Sequence, residues 1–400
     1  MNRRLALLMF MQLFGLGAFF PILSHYLLNV LHLDGTQTGW IFSASSLASV
    51  ISPLACAVLA DRLISSQRLF ALCHVLAGIA VWALAYQTEF GPFFVLYCVY
   101  TVLYGPTMAL AQAIVFHHLR GGRESFARVR VWGTIGWIVV ALLFGYGWLR
   151  GGGGLAEERL GDAFILAGAC SFFLALYGLL LPRIDLHRSG AVTLLPRGSL
   201  QVICGRGVRV VLALGFAAAF LDRYFYFGAA PYLKSMGVPE ASILPAMSIA
   251  QVPEVLSMAL LGWMLASYGV RAAILCGLFM QVARFSIFVL SSNLAFTLVG
   301  VACHGFGYGL FFTTAYIYLD RRCEASMRAG AHLIFAVLVG AAATFLGSLT
   351  AGALLDFYRA DYRLFWTVPA VVSGLTLIAA LHWLPREGAE TRGGAASAGA

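Results

Sequence analysis

Twelve apolar runs, each long enough to cross a lipid bilayer, decide what this chain can fold into. The bilayer core holds no water for backbone N–H and C=O groups, so a run of about 20 apolar residues must be helical there. The runs cover 5–27, 39–60, 69–86, 92–116, 131–149, 161–182, 208–233, 242–266, 271–290, 293–319, 330–354 and 363–384. Of the 400 residues, 61% are hydrophobic and only 11% are charged. The sequence therefore predicts an all-α membrane protein with twelve transmembrane helices.

The basic residues indicate how these helices are oriented. The formal net charge is +9, and most of the 26 Lys and Arg residues fall on alternate loops, the ones on the same side as the N-terminus. By the positive-inside rule these loops and both termini are cytoplasmic. The basic excess is thus explained by topology, and no nucleic-acid partner is expected.

A polar, basic interval separates six helices from six. We expect an N-terminal half at 1–182, a cytoplasmic central loop at 183–207, a C-terminal half at 208–385 and a disordered cytoplasmic tail at 386–400. Short turns follow the second helix of each half, at Asp61-Arg62 and at Tyr268-Gly269-Val270-Arg271. An internal duplication would produce this arrangement, which predicts two pseudo-symmetric six-helix halves.

The fifth helix carries a candidate binding face. At 3.6 residues per turn, Arg130, Thr134 and Trp137 lie on one side of it, while Gly133 and Gly136 permit close helix contact. Alternatively, an arginine near a helix end extends to the lipid headgroups, as we expect for Arg128. Because Arg130 shares its face with a hydroxyl and an indole ring, we interpret it as part of a site for a ring-bearing solute. Gln112 on the fourth helix and Gln12 on the first are further polar candidates.

Glu254 is the clearest functional signal, because an ionisable group in the middle of a membrane helix costs about 2.5 to 3.5 kcal/mol. Ser248, Gln251 and Glu254 recur every three residues and form a polar stripe along the eighth helix. The alternative is a fixed ion pair between Glu254 and Arg284 of the ninth helix. A carboxyl group that meets a cation in one state and not in another would change protonation, which is what a proton carrier requires.

Three other polar residues lie within apolar helices. Asp222 and Arg223 are adjacent on the seventh helix and point about 100° apart, so each needs its own partner. His304 lies in the tenth helix among the glycines Gly305, Gly307 and Gly309. Each has a purely structural alternative, as a salt bridge for Asp222 and Arg223 and as hydrogen-bonded packing for His304.

Enzymatic and nucleotide-driven functions have no support in the sequence. There is no phosphate-binding glycine loop, no metal-ligand spacing among the cysteines and histidines, and no paired catalytic group at a credible spacing. We therefore expect neither a metal nor a cofactor, and no enzyme. A receptor that binds without transport remains an alternative.

Several motifs together resemble one transporter family. They are Asp34-Gly35, Gly39, Ser45, Pro53, Ala60-Asp61, Cys73-His74, Tyr104-Gly105-Pro106-Thr107, Arg130-x-Trp132-Gly-Thr-Ile-Gly136, Gln251-x-x-Glu254, Tyr268-Gly269, Arg284-Phe285 and Arg328-Ala329. With six plus six helices, the chain resembles the major facilitator superfamily and, within it, the bacterial nucleoside:proton symporters. The segment from Arg130 to Trp137 is also similar to the sugar-binding helix of lactose permease.

This resemblance implies a monomeric transporter of the bacterial inner membrane that moves a nucleoside together with a proton by alternating access. It implies substrate contacts at Gln112, Asp222, Gln251, Glu254 and Tyr308 besides the fifth-helix face. It also implies proton coupling at Glu254, Asp222 and His304, with Arg284 as their charge partner.

The chain departs from its relatives on the tenth helix. Gly307 stands where lactose permease has a carboxylate, and Gly309 replaces the helix-ten aspartate of the nucleoside symporters. The alternatives within transport are therefore a proton-linked sugar or small aromatic-acid permease and a uniporter without proton coupling.

Overall fold

The computed structural model describes residues 2–55, 65–119, 122–151, 156–181, 205–323 and 327–385, and every regular element within them is helical. Ten helices in these ranges are long and apolar enough to span a membrane. One of them, Glu240–Leu290, has 51 residues and contains two of the predicted spans. The second predicted helix is described only up to residue 55. The all-α membrane fold is therefore confirmed.

The helices follow the predicted order. The first is Asn2–Phe19, extended by short 3-10, α and π turns to Val30; the second comprises Gly35–Ser43 and Ser45–Ala55. The others are Ser66–Leu84, Phe90–His118, Gly122–Leu142 with a π segment to Leu149, Asp162–Leu179, Arg206–Ser235, Glu240–Ser248, Gln251–Leu290, Leu294–Arg322, Arg328–Phe335 with a π segment to Ala342 followed by Ala343–Phe357, and Tyr362–Trp383.

A glycine separates the eighth helix from the ninth. The helical run Gln251–Leu290 contains one non-helical residue, Gly269, with φ 78° and ψ 175°. A residue with a Cβ rarely adopts this positive φ, so glycine is needed for the turn. Glu254 therefore belongs to the eighth helix and Arg284 to the ninth, as predicted.

Two helices begin earlier than the apolar runs suggest. The second begins at Gly35 because Asp34 caps it: the Asp34 carboxylate accepts from the backbone N–H of Gln37, and the Gln37 side chain accepts from the N–H of Asp34. The fifth begins at Gly122, so Arg128 and Arg130 lie inside a helix and not at its end. A search for apolar runs does not detect the first turn of a helix when that turn carries polar residues.

The chain forms two compact units. Unit 1 comprises the described residues of Met1–Thr193, Arg223–Ile249 and Gly340–Ala360, and unit 2 those of Leu194–Asp222, Ala250–Val339 and Asp361–Ala400. Most of the predicted central loop, the turn at Asp61-Arg62 and the tail 386–400 lie outside the described residues. The division into halves at 183–207 therefore stays a prediction.

Glycines bring helix backbones together inside each unit. In unit 1, a Cβ on Gly136 would collide with the carbonyl oxygen of Phe10, so the fifth helix packs directly on the first. In unit 2, a Cβ on Gly277 would lie 2.8 Å from the backbone nitrogen of Phe311, so the ninth and tenth helices are equally close. Small residues at such contacts are typical of helix packing in membranes.

Candidate functional site

The predicted face of the fifth helix lies in unit 1, next to the first helix. A Cβ on Gly133 would lie 2.7 Å from Cδ1 of Leu13, which shows how closely these helices approach. Thr134 is buried, with 6% of its surface exposed, and Arg130 is half-buried. The polar side chains thus lie beside a tight helix contact.

Trp137 is fixed by the same contact. Its indole ring would lie 2.9 Å from a Cβ on Gly17, and 8% of the residue is exposed. An aromatic ring held against a glycine loses little further conformational freedom when a flat ligand packs on its other face. The ring is therefore suited to a stacking role.

Three polar side chains of unit 1 make no hydrogen bond or ion pair with the described residues. Within the described ranges, the side chains of Arg130, Thr134 and Gln112 have no hydrogen-bond or ion-pair partner, and both Arg130 and Gln112 are half-buried. A partly desolvated guanidinium without a partner is costly, so a ligand that supplies acceptors would be bound favourably.

Gln12 behaves differently, and the structure places it in the helix core. Its Nε2 donates to Oγ1 of Thr107 at 2.8 Å, and its Oε1 lies 3.1 Å from Nε2 of His74. Gln12 is fully buried. Its amide already joins three helices, so we remove it from the candidates for substrate contact.

A buried charged cluster occupies unit 2. Nδ1 of His304 lies 3.3 Å from Oδ1 of Asp222, and Nη1 of Arg284 is 3.9 Å from the same oxygen. Arg284 Nη1 also forms a close hydrogen bond with Nδ1 of His304. All three residues are buried. We call Asp222, Arg284 and His304 the buried triad.

The chemistry at Nδ1 of His304 depends on its proton. A guanidinium only donates, so Nδ1 accepts from Arg284 when it carries no proton. Once protonated, Nδ1 can only donate, and the acceptor beside it is the Asp222 carboxylate. The gain of one proton at Nδ1 therefore replaces Arg284 by Asp222 as the hydrogen-bond partner of this nitrogen.

A small cavity adjoins the buried triad. It has a volume of about 10 Å³ and is lined by Asp222, Gln281, Arg284, His304 and Tyr308 together with apolar and small residues. This is about the space of one water molecule. A nucleoside cannot enter it, whereas a water that carries a proton can.

Glu254 and Gln251 lie on the part of the eighth helix that packs against the tenth. Glu254 is half-buried and Gln251 is buried. A Cβ on Gly305 would meet the carbonyl oxygen of Ala250, and a Cβ on Gly309 would meet Oγ of Ser257. A side chain at position 309 would therefore require the Ser257 hydroxyl to move.

Tyr308 extends between the buried triad and the surface. It is 40% exposed, and its ring centroid lies 6.0 Å from that of His304. Arg223 belongs to unit 1, where its guanidinium lies 5.2 Å from the ring centroid of Tyr226. Asp222 and Arg223 thus have separate surroundings, as their angular separation predicts.

Comparison with known proteins decides the family. The sequence profile of the nucleoside H+ symporter family matches residues 1–386. The chain belongs to this family. It is 26% identical to the putative nucleoside transporter YegT of Escherichia coli K12 (88% of this chain, 84% of that one) and 26% identical to the xanthosine permease of the same organism (94% of each).

Solved structures give the same fold. The crystal structure of the nucleoside transporter NupG matches with a TM-score of 0.82 at 21% identity, covering 96% of this chain and 98% of that one. This symporter is therefore a multi-pass membrane transporter with the major facilitator fold, and not an enzyme. Both predictions are confirmed.

The buried triad agrees with the predicted role of Arg284 as a charge partner. The contacts described above join it to Asp222 and His304, from the seventh and tenth helices. The residues themselves were identified because each is ionisable in an apolar helix. Which of them meet depends on helix packing, for which a single sequence carries no signal.

Proposed function

We propose that this symporter takes up nucleosides together with protons across the bacterial inner membrane, as a monomer with both termini in the cytoplasm. Family membership over residues 1–386 supports the solute and the coupling ion. The bias of Lys and Arg residues toward alternate loops supports the orientation.

The nucleoside contacts follow from the polar groups that the fold leaves available. Arg130, Thr134 and Gln112 have no partner within the described ranges, and Trp137 offers a fixed ring for the base. Base stacking on an aromatic side chain is worth about 1 to 3 kcal/mol. On the eighth and tenth helices we assign substrate contacts to Gln251, Glu254 and Tyr308. Asp222, predicted as a seventh-helix substrate contact, is buried with Arg284 and His304, so we assign it to proton coupling instead.

The position of His304 Nδ1 between Asp222 and Arg284 is the observation that carries proton coupling. The proton would enter through the one-water cavity and rest on Nδ1, where the carboxylate stabilises the imidazolium. Its departure restores the Arg284 hydrogen bond. The buried triad in this way supplies a titratable site that does not need the family's helix-ten aspartate.

Glu254 is assigned the second role, of linking substrate to proton. It is half-buried on the helix that Gly305 and Gly309 bring against the tenth, and His304 lies on that same tenth helix. We expect Glu254→Gln to bind nucleosides while losing accumulation driven by a pH gradient. Full gradient-driven accumulation by this variant would contradict the assignment.

The decisive experiment is uptake into proteoliposomes with a panel of uridine, adenosine and xanthosine, with and without an inward proton gradient. We expect accumulation of at least one nucleoside above equilibrium only with the gradient, and no competition by lactose. Uptake that equilibrates regardless of the gradient would indicate a uniporter. Inhibition by lactose alone would indicate a sugar permease.

A further inference from the structure

A second buried titratable cluster lies in unit 1 and contains none of the groups assigned above. His25, at the end of the first helix, is fully buried, and its Nε2 lies 2.6 Å from Oε2 of Glu240 at the start of the eighth. The other carboxylate oxygen, Oε1, accepts a close hydrogen bond from Nζ of Lys234. We call His25, Asn29, Lys234 and Glu240 the outer cluster.

Both ring nitrogens of His25 are engaged. Nδ1 lies 3.1 Å from Oδ1 of Asn29, while Nε2 faces the carboxylate. A carboxylate only accepts, so Nε2 carries hydrogen, and an amide oxygen at Nδ1 requires hydrogen there too. With this orientation of Asn29, His25 is an imidazolium cation.

The same geometry also accommodates a neutral ring. If the Asn29 amide turns by 180°, its NH₂ group donates to Nδ1, and His25 keeps its bond to Glu240 without the second proton. The cluster can therefore gain or lose one proton without changing which residues are in contact. Such a group, buried and hydrogen-bonded to a carboxylate, can bind a proton without a rearrangement of its neighbours.

In the predicted division into two halves, the outer cluster joins two parts of the chain that move apart during transport. His25 belongs to the first six predicted helices, and Glu240 and Lys234 to the last six. In the proposed topology both helix ends face the outside. Backbone packing reinforces the contact, because a Cβ on Gly145 in the fifth-helix π segment would lie 2.7 Å from the ring of Pro245.

We propose that His25 is a second proton-binding residue, and that a proton taken up there from the outside stabilises closure of the outer side through Glu240. The inference rests on the proposed proton-coupled uptake. A protonated His25 adds the attraction between opposite charges to its hydrogen bond with the Glu240 carboxylate, whereas a neutral His25 makes that bond without a charge on its ring. Among the described residues, the charged groups of this cluster are Glu240, which contacts His25, and Lys234, which contacts Glu240.

Hydrogen exchange of the segments around His25 and Glu240 tests this in the full-length reconstituted protein without substrate. After correction for the intrinsic pH dependence of exchange, we expect protection to fall about tenfold between about pH 5 and 8. His25→Gln should remove this dependence. An unchanged slope in His25→Gln, or no slope in the unmodified protein, would overturn the proposal.

Three further variants separate a proton site from general loosening. His32→Gln removes an exposed histidine three residues beyond Asn29 and should leave the slope intact. Lys234→Gln should lower protection at every pH with the slope retained. Asn29→Ala removes the acceptor of the second proton, so the decrease in exchange protection should occur at lower pH. A decrease at the same pH as in the unmodified protein would contradict the role of Asn29.

A parallel uptake measurement keeps this proposal distinct from the function on which it rests. If the unmodified protein shows no proton-driven nucleoside uptake, the proposed function fails, whatever the exchange shows. If uptake is proton-driven but His25→Gln retains the unmodified pH slope of exchange, only the assignment of His25 fails.

Discussion

The fifth-helix face and the buried triad treat their polar groups in opposite ways. Arg130, in unit 1, is half-buried and has no partner within the described ranges. Arg284, in unit 2, is 2% exposed and lies between a carboxylate and an imidazole. Both are arginines in membrane helices, where an uncompensated charge is costly. The difference teaches that the fold compensates one arginine itself, and we propose that a ligand compensates the other.

From this comparison we expect the largest effect on stability and uptake when the carboxylate charge of the buried triad is removed. Asp222→Asn would remove the charge that faces Arg284 and His304, and breaking a buried charge pair costs about 3 to 5 kcal/mol. We expect a lower melting temperature in detergent and loss of uptake together. Asp222→Glu, which keeps the charge, should retain most of the stability. A stable Asp222→Asn protein would show that the triad is not an electrostatic unit.

The fifth-helix face should behave in the opposite manner. Arg130→Gln removes a charge that no described residue uses, so we expect the melting temperature to change little. Nucleoside binding should weaken about tenfold or more, because a charge-assisted hydrogen bond to the ligand is worth about 1.5 to 3 kcal/mol. Equilibrium binding and thermal unfolding of one preparation measure both quantities. A destabilised protein with unchanged affinity would reverse the interpretation of this arginine.

Arg128→Gln is the matched control for Arg130→Gln. It removes the same charge two residues earlier, about 200° around the helix, from an exposed position. We expect nucleoside affinity to stay within about twofold of the unmodified protein, as for a surface substitution away from the site. Equal losses from the two variants would indicate that only the overall positive charge of this segment matters.

How far the sequence predicted these two regions differs for a physical reason. The order of the helices and the shared face of Arg130, Thr134 and Trp137 follow from hydropathy and helical periodicity, which are local properties. The glycines at 133 and 136 also indicated close packing in advance. The early start of the fifth helix was missed, because its first turns carry polar residues.

The buried triad could be predicted only as a set of residues. Asp222, Arg284 and His304 come from three helices, so their contacts depend on helix rotation and tilt, which packing determines. Charge balance alone does not select among the possible pairings, because several of them satisfy it. The clash of a side chain at position 309 with Ser257 is likewise a tertiary fact. The sequence showed that Gly309 replaces an aspartate of the related symporters, but it did not show that this glycine lies at a helix contact.

The smallest expected effect tests whether the fifth-helix face binds through its hydroxyl as well as its charge. Thr134→Val keeps the shape and removes an Oγ1 that has no partner within the described ranges. We expect stability to hold or rise slightly, because valine costs nothing to desolvate at a site with 6% exposure. Nucleoside affinity should fall about threefold to tenfold, the equivalent of one hydrogen bond of about 0.5 to 1.5 kcal/mol. Thr134→Ser, which keeps the hydroxyl, should retain affinity. If serine weakened binding and valine did not, Thr134 would act through its methyl group, and the contrast between the two regions would rest on the two arginines alone.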